Sequence, residues 1–169
     1  LNYSYSHMLN WYEQSVITDC FSTGDVTVNG SETGSVGGFC GSNSSDMDGG
    51  LQYPLSRIIS CHSTGDVESN GDNTGGFCGL NESRLGRAEI EDCYSEGEVN
   101  GNSYTGGFCG LNLAKKGVEG RHGDSKIFKC YCLGNVAGVD YVGGFCGMNQ
   151  SKSEECEVEI RISYCVGDA

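Results

Sequence analysis

One short phrase occurs four times in this chain. The first copy reads Gly-Gly-Phe-Cys-Gly-Ser-Asn over residues 37–43, and close copies begin at Gly75, Gly106 and Gly143. A second phrase, Ile-x-x-Cys-aromatic-Ser, precedes each copy. It begins at Ile17, Ile58 and Ile90, and variants of it begin at Ile127 and Ile160. Self-similarity at a period of roughly 30–40 residues is typical of a repeat architecture.

The repeats have the composition of β-strands rather than helices. Each begins with the Ile-x-x-Cys phrase, continues through a glycine-acid turn into a valine, and ends in Gly-Gly-Phe-Cys-Gly. Short β-branched or aromatic runs between glycines predict strands, and no repeat keeps the i, i+3, i+4 period of a helix. We therefore expect an all-β fold, a parallel β-solenoid of about 4.5 coils, in which equivalent residues stack about 4.8 Å apart.

The chain divides into two parts by its match to the repeat. Residues 1–15 do not match and are expected to cap the solenoid or to complete a coil. Residues 16–169 hold four full repeats and the start of a fifth, which stops in mid-coil at Ala169. Such ragged ends suggest that one molecule stacks on the next; the alternative is that the sequence is a fragment of a longer chain.

Both phrases resemble the GLUG repeat. That family pattern reads Gly-Gly-Leu-Val-Gly-x-Asn, followed by Ile-x-x-Cys-Tyr-x-x-Gly-x-Val, and residues 75–81 and 90–99 follow these two patterns closely. The resemblance covers roughly residues 16–169. It implies a right-handed parallel β-helix in a secreted or surface-attached protein, often an adhesin or a stalk, and no catalytic site. This chain differs by having Phe-Cys in place of Leu-Val, which adds a second cysteine to every coil.

Charge and hydropathy exclude several classes of partner. The formal net charge is −13, with only 10 Lys and Arg against 23 Asp and Glu. A nucleic-acid binder needs a basic patch to displace counterions from phosphates, so no nucleic-acid partner is expected. An anionic membrane surface is disfavoured for the same reason. No apolar run approaches the ~20 residues that a membrane-spanning helix needs.

Eleven cysteines favour an oxidising, extracellular or cell-surface setting. Eight of them alternate between the two phrases, with separations of 20, 17, 16 and 16 residues, and the fifth repeat has Ser163 in place of the first cysteine and no second phrase. We expect disulfide bonds within coils, each worth about 3 kcal/mol. Two columns of free buried thiols, or bonds between adjacent coils, remain alternatives. The expected pairs are Cys20–Cys40, Cys61–Cys78, Cys93–Cys109 and Cys130–Cys146.

Three further cysteines lie outside this pattern. Cys132 and Cys165 hold the same repeat position in consecutive coils, where earlier coils have serine, and are expected to bond between coils. Cys156 is left alone in a loop, either free or bonded to another chain.

A column of asparagines ends the glycine-rich phrase. We expect Asn43, Asn81, Asn112 and Asn149 to form a buried amide ladder. Glycosylation is the alternative for three of them, because Asn43, Asn81 and Asn149 begin Asn-x-Ser sequons. The sequons at Asn2 and Asn29 are further candidates, so glycans are candidate partners.

Two questions stay open at the level of sequence. In a regular strand, neighbouring Phe and Cys point to opposite faces, so either the phenylalanines or the second-phrase cysteines would face the core. The turn carboxylates Asp25, Asp66 and Glu98 form a column that either faces solvent or weakly binds Ca²⁺.

No catalytic motif is present, and neither an enzyme nor a cofactor is expected. The basic residues lie mostly in variable loops and form no evident column. The sequence favours an extracellular structural protomer that stacks head to tail into a filament, hence a homo-oligomer. The alternative is an adhesin or stalk module that binds a protein or glycan through loops 43–57, 112–127 and 149–159.

Overall fold

The computed structural model describes residues 2–6, 14–30, 34–47, 54–117 and 120–167, and these form a parallel β-solenoid without a helix. The predicted fold is confirmed. Each full coil contributes five strands, one to each of five parallel sheets, which we call B, C, D, E and A in the order in which the chain passes through them.

The strands, in chain order, have the following bounds. One strand of sheet A precedes the first coil: β1 (Asn2–Ser6). The first coil contains β2 (Gln14–Thr18), β3 (Phe21–Ser22), β4 (Val26–Val28), β5 (Ser35–Gly37) and β6 (Cys40–Met47). The second contains β7 (Leu55–Ile59), β8 (His62–Ser63), β9 (Val67–Ser69), β10 (Asn73–Gly75) and β11 (Cys78–Ser83).

The remaining coils repeat this order. The third contains β12 (Gly86–Glu91), β13 (Tyr94–Ser95), β14 (Val99–Asn100), β15 (Ser103–Gly106) and β16 (Cys109–Ala114). The fourth contains β17 (Gly123–Phe128), β18 (Tyr131–Cys132), β19 (Val136–Ala137), β20 (Asp140–Gly143) and β21 (Cys146–Ser151). The fifth contains β22 (Glu157–Arg161) and β23 (Tyr164–Cys165).

The register places like residues on like residues. In sheet B, Ile17 pairs with Ile58, which pairs with Ile90, and the column continues through Ile127 to Ile160. Ile58, Ile90 and Ile127 are fully buried. These columns form the core.

The N-terminal strand continues the repeat. β1 pairs with β6 in parallel, with Asn2 opposite Asn43, so residues 2–6 hold the sheet A position of a preceding coil. A shared Asn-x-Ser pattern at Asn2 and Asn43 is the sequence signal for this register. The rest of the segment before Gln14 lies outside the described residues.

The Phe-Cys pair lies at a corner, not inside one strand. Sheet E ends at the glycines, and sheet A begins at the cysteine. The backbone N–H groups of Phe77 and Cys78 both donate to the carbonyl of Phe108, at 3.0 and 2.9 Å. Because the alternation of faces is broken there, Phe77 and Cys78 are both fully buried. The expectation that only one of phenylalanine and cysteine faces the core assumed a regular strand. The chain forms a corner there instead, so both residues face the core.

The corner between sheets B and C requires a left-handed residue in every coil. Five residues with φ between 51° and 55° precede the cysteine or serine of the first phrase: Asp19, Ser60, Asp92, Lys129 and Ile162. None is glycine, and left-handed backbone is costly for L-residues with a side chain. The packing and hydrogen bonds that form when each coil closes therefore offset the cost of backbone strain at this corner.

A column in sheet E gives a test of the packing. Val36, Thr74, Thr105 and Val142 are register partners. Thr74 and Thr105 are fully buried, and their hydroxyl oxygens have no hydrogen-bond partner. A buried hydroxyl without a partner costs about 1–3 kcal/mol.

We expect Thr105→Val to stabilise the protein by about 1 kcal/mol, because it removes an unpaired buried hydroxyl at nearly constant shape. The matched control is Ser95→Ala, since the Ser95 hydroxyl donates to the carbonyl of Gly107 at 2.7 Å. That change should be destabilising. Urea unfolding followed by circular dichroism measures both, and a loss of stability in Thr105→Val would contradict the packing described.

Candidate functional site

The inward asparagines form one hydrogen-bonded ladder. The side-chain Nδ2 of Asn43 donates to Oδ1 of Asn81 at 2.8 Å, Asn81 donates to Asn112 at 2.8 Å, and Asn112 donates to Asn149 at 2.7 Å. The amides of Asn43, Asn81 and Asn112 also reach carbonyls of sheet B; Asn81 Nδ2 lies 3.2 Å from the Ala88 oxygen. The ladder thus ties strands of sheet A to the strands of sheet B that follow them in the chain.

The asparagines of the Asn-x-Ser sequons differ in their burial. Asn43, Asn81 and Asn112 are fully buried, so a sugar cannot be attached to Asn43 or Asn81 in the folded state. Their sequons arise because Ser45 and Ser83, two residues on, also face the core. Asn29 is exposed, and so is Asn149 at the last strand of sheet A. The side chain of Asn2 lies outside the description.

The first-phrase cysteines form a second ladder. The backbone N–H of Cys20 points to the sulfur of Cys61 at 3.4 Å, and that of Cys61 points to the sulfur of Cys93 at 3.3 Å. Each thiol donates to the carbonyl two residues back; for Cys61 this is Ile59, at 3.1 Å. Ser163 makes both contacts in the fifth coil: its hydroxyl donates to Arg161 and accepts from the backbone of Cys130. A hydroxyl can therefore replace the thiol here.

The second-phrase cysteines stack in a column of their own. Cys40, Cys78, Cys109 and Cys146 are register partners in sheet A. The sulfurs of Cys40 and Cys78 lie 3.5 Å apart, and the thiol of Cys78 contacts the carbonyl of Leu80 at 3.2 Å. Cys78 and Cys109 are fully buried.

The predicted disulfide staples are not confirmed. All eleven cysteines carry free thiols in the structure. The physical reason is that the two cysteine columns are separate hydrogen-bonded stacks, so the contacts run along the solenoid axis rather than across a coil. This reason applies to the within-coil pairs Cys20–Cys40, Cys61–Cys78, Cys93–Cys109 and Cys130–Cys146. Cys132 and Cys165 are neighbours along the axis, and their thiols are also free. Cys156 is nearly buried in the loop before β22, with its backbone N–H bonded to Ser153 at 3.2 Å.

Burial contributes to a raised pKa at several of these thiols. It raises the pKa of Cys61 from 9.0 to about 11. The hydrogen bond with Cys130, and then burial, raise the pKa of Cys93 far above its ordinary value. Burial, followed by hydrogen bonds with Cys146 and Cys78, likewise raises the pKa of Cys109. At Cys78 burial is outweighed by hydrogen bonds with Cys109 and Cys40, which lower the pKa of that thiol.

The turn carboxylates bind backbone groups of the next coil. Asp25 Oδ1 accepts the N–H of Asp66 at 3.0 Å, and Asp66 Oδ1 accepts the N–H of Glu98 at 2.8 Å. These contacts give the carboxylate column a structural use. In the described part of the chain, no group of three or more His, Cys, Asp or Glu side chains is arranged to hold a metal ion.

Charged residues of alternating sign form a column that the sequence analysis did not identify. On the outer face of sheet B, Arg57, Glu89, Lys126 and Glu159 are successive register partners of alternating sign. Arg57 Nε lies 3.0 Å from a carboxylate oxygen of Glu89. Aligning the repeats on their isoleucines would have revealed this pattern, since each charge stands one residue before the isoleucine.

An aromatic column runs along the outer face of sheet C. Phe21, His62, Tyr94, Tyr131 and Tyr164 stack with ring centroids 4.6–5.5 Å apart and nearly parallel planes. The exposed fraction is 67% for Phe21 and 58% for Tyr164, the two ends of the column. Because the ring faces cover each other, mainly ring edges face solvent.

A groove of about 440 Å³ lies where two variable loops meet sheet B. It is lined by Gln14, Pro54, Leu55, Gly86, Arg87, His122 and Asp124. Arg87 Nε and Asp124 Oδ2 lie 3.8 Å apart across it. Of the other histidines, His62 belongs to the aromatic column and His7 falls outside the described residues.

The comparisons with known proteins agree with the repeat. The family model described as the GLUG motif matches residues 32–68. This segment is similar to the GLUG motif. It runs from the end of the first coil into the second, and the shared register extends the same arrangement through the other coils. No curated protein and no solved structure is similar enough to count as a match. The described residues include no helix that is long and apolar enough to cross a membrane.

Removing one rung of the asparagine ladder should be costly. We expect Asn81→Ala to lower the free energy of unfolding by about 3 kcal/mol, because it leaves the amide of Asn43 and the carbonyl of Asn112 without their ladder partner. Asn29→Ala, an exposed asparagine outside the ladder, is the control and should change little. Equal urea midpoints for the two variants would contradict a buried ladder.

The raised thiol pKa values predict a loss of stability in alkali. Because the folded pKa of Cys61 exceeds its ordinary value of 9.0, its contribution to stability is complete below that value and is lost as the pH rises through about 11. In the fully reduced protein, the ultraviolet absorbance of thiolates should therefore rise at a higher pH for the folded chain than for the urea-unfolded chain. Cys61→Ser should remove part of the delayed rise. Coincident titrations of the folded and unfolded chains would contradict the burial of these thiols.

Proposed function

We propose that this chain is a non-catalytic structural segment of an extracellular or cell-surface protein, in which solenoid coils stack end to end into a fibre. The observation that carries the proposal is the unbroken register of all five sheets. Successive coils are joined by backbone hydrogen bonds in every sheet, which makes a stiff, extendable rod.

The exposed ends of the side-chain columns support end-to-end contact between copies. Tyr164 and Phe21 lie at opposite ends of one aromatic column, and both are exposed. Strands β21, β22 and β23 lie at one edge of sheets A, B and C in the described solenoid. Another coil, from the same polypeptide or from a second copy, would extend the backbone pairing there.

Two accessible sequons support the extracellular setting. Asn29 and Asn149 are exposed, and each begins an Asn-x-Ser sequon, so they are the residues that we expect to carry a glycan.

The non-catalytic part of the proposal rests on how the charged groups are used. Arg57 bridges Glu89 and Glu91, Lys126 bonds Glu157, and the turn carboxylates hold backbone N–H groups. These contacts link adjacent coils and stabilise their register.

One observation favours adhesion as a second candidate function. The groove beside sheet B is lined by Pro54 and His122, which lie in two variable loops, and by Leu55 and Asp124, which lie in strands β7 and β17. Loops that vary in sequence on a rigid scaffold are common binding surfaces. A glycan or peptide held there would make the solenoid an adhesin or stalk module. Saturable binding that is lost in Arg87→Ala would support this candidate.

Electron microscopy of the 169-residue chain tests the fibre proposal. Filaments with an axial repeat of about 20–25 Å are expected, from about 4.5 coils at about 4.8 Å each. Tyr164→Lys should abolish them, because it places charge at the end of the aromatic column. Asn100→Lys adds the same charge on the side of the solenoid and should leave them intact.

Mass in solution gives the opposing outcome. A monomer of about 18 kDa at all concentrations would contradict the fibre proposal and favour the alternative, an adhesin or stalk module that binds through its variable loops. Filaments that persist unchanged in Tyr164→Lys would show association by another surface.

A further inference from the structure

One inward column changes from serine to cysteine in two adjacent coils. In sheet C, Ser22, Ser63 and Ser95 are register partners, and the column continues with Cys132 and then Cys165. The two cysteines are therefore direct neighbours along the axis, and the next residue of the column is a serine.

Hydrogen bonding does not explain the change. The hydroxyl of Ser63 donates to the carbonyl of Gly76, and that of Ser95 to the carbonyl of Gly107, each at 2.7 Å. The thiol of Cys132 makes the equivalent contact with Gly144 at 3.1 Å. Because a thiol is a weaker donor than a hydroxyl, serine serves this contact better.

The geometry suits a bond between the two sulfurs. Neighbouring strands lie about 4.8 Å apart, within the usual Cα separation of a disulfide. Both sulfurs lie close to Gly144. The sulfur of Cys132 contacts the carbonyl of Gly144, and the sulfur of Cys165 would lie 3.8 Å from a methyl group placed on the Cα of Gly144. Cys132 is fully buried, whereas Cys165 is partly exposed and packs against the same core cluster.

We propose that Cys132 and Cys165 are a modification site, at which a small-molecule disulfide oxidises them to a bond that joins the fourth and fifth coils. This cross-link does not depend on end-to-end association of the protein.

The partly exposed cysteine reacts first. The thiol of Cys165 loses its proton to solvent, and the resulting thiolate attacks one sulfur of the oxidant, which releases one small-molecule thiolate and leaves a mixed disulfide. The thiol of Cys132 then gives up its proton and its sulfur attacks that of Cys165, so that the second small-molecule thiolate leaves; the two released thiolates take up the two protons. Two protein thiols are oxidised and one small-molecule disulfide is reduced to two thiols.

The pair also has no competing partner within its column. The two longer cysteine columns each hold four sulfurs, so each can pair in more than one way. In sheet C, Ser95 lies beyond Cys132, which leaves Cys165 as the one neighbouring sulfur in the described column.

Peptide mapping of the oxidised chain tests the proposal. The reduced, folded 169-residue protein is treated with glutathione disulfide, blocked with N-ethylmaleimide and digested with trypsin without reduction. We expect the peptide 130–152 joined to the peptide that begins at Ile162, whose cysteine is Cys165. Non-reduced mass spectrometry should find most of Cys165 in this form.

Serine variants assign the bond, because peptide 130–152 also contains Cys130 and Cys146. Cys132→Ser and Cys165→Ser should each abolish the joined peptide. Both variants introduce serine, the residue that the first three coils have in this column. Cys156→Ser is the matched control and should retain it. Persistence of the joined peptide in Cys132→Ser, or recovery of Cys165 as a free or glutathione-bound thiol, would overturn the proposal.

Discussion

The axial backbone pairing between coils is the constraint on which the rest of the structure depends. Parallel strands repeat about every 4.8 Å, so each side chain must lie directly against its equivalent in the next coil. A residue type is then acceptable only if it can contact a copy of itself or a complementary partner. Isoleucine and phenylalanine satisfy this by packing, asparagine by an amide-to-amide hydrogen bond, and arginine and glutamate by alternating along the column.

The same constraint explains how so thin a solenoid can bury polar groups. An asparagine amide has both donors and an acceptor, so a column of them satisfies its own interior members and also reaches the carbonyls of sheet B. The thiols of the first-phrase column donate to a carbonyl within their coil and accept an N–H from the neighbouring coil. Thr74 and Thr105 are the exceptions, since their hydroxyls are buried without a partner.

Much of the fold could be predicted from the sequence because equivalent positions of successive repeats carry residues that can stack on each other. The period, the strand content and the asparagine and aromatic columns all follow from aligned positions. The corner at Phe77 and Cys78 could not be predicted, because two consecutive N–H groups share one carbonyl there and both side chains turn inward. Cysteine pairing was equally out of reach, since spacing alone does not distinguish contact across a coil from contact along the axis. The alternating charges of sheet B and the register of β1 were readable, but only after alignment on the isoleucines and on the Asn-x-Ser pattern.

Function follows less directly than fold. The GLUG motif and the solenoid fit a structural or adhesin-like repeat protein, and the columns account for most of the charged and polar groups described. What the rod connects depends on its ends and on its variable loops, which the repeat pattern does not specify.

Nuclear magnetic resonance of the asparagine side chains tests the in-register columns most directly. With 15N-labelled asparagine, the side-chain amide protons of Asn81 should show strong protection from hydrogen exchange and a nuclear Overhauser contact with those of Asn112, which lies 31 residues away in sequence. Asn29, which is exposed, should exchange freely in the same sample. Rapid exchange at Asn81, with no contact to Asn112, would contradict the stacked ladder and the register on which the structure depends.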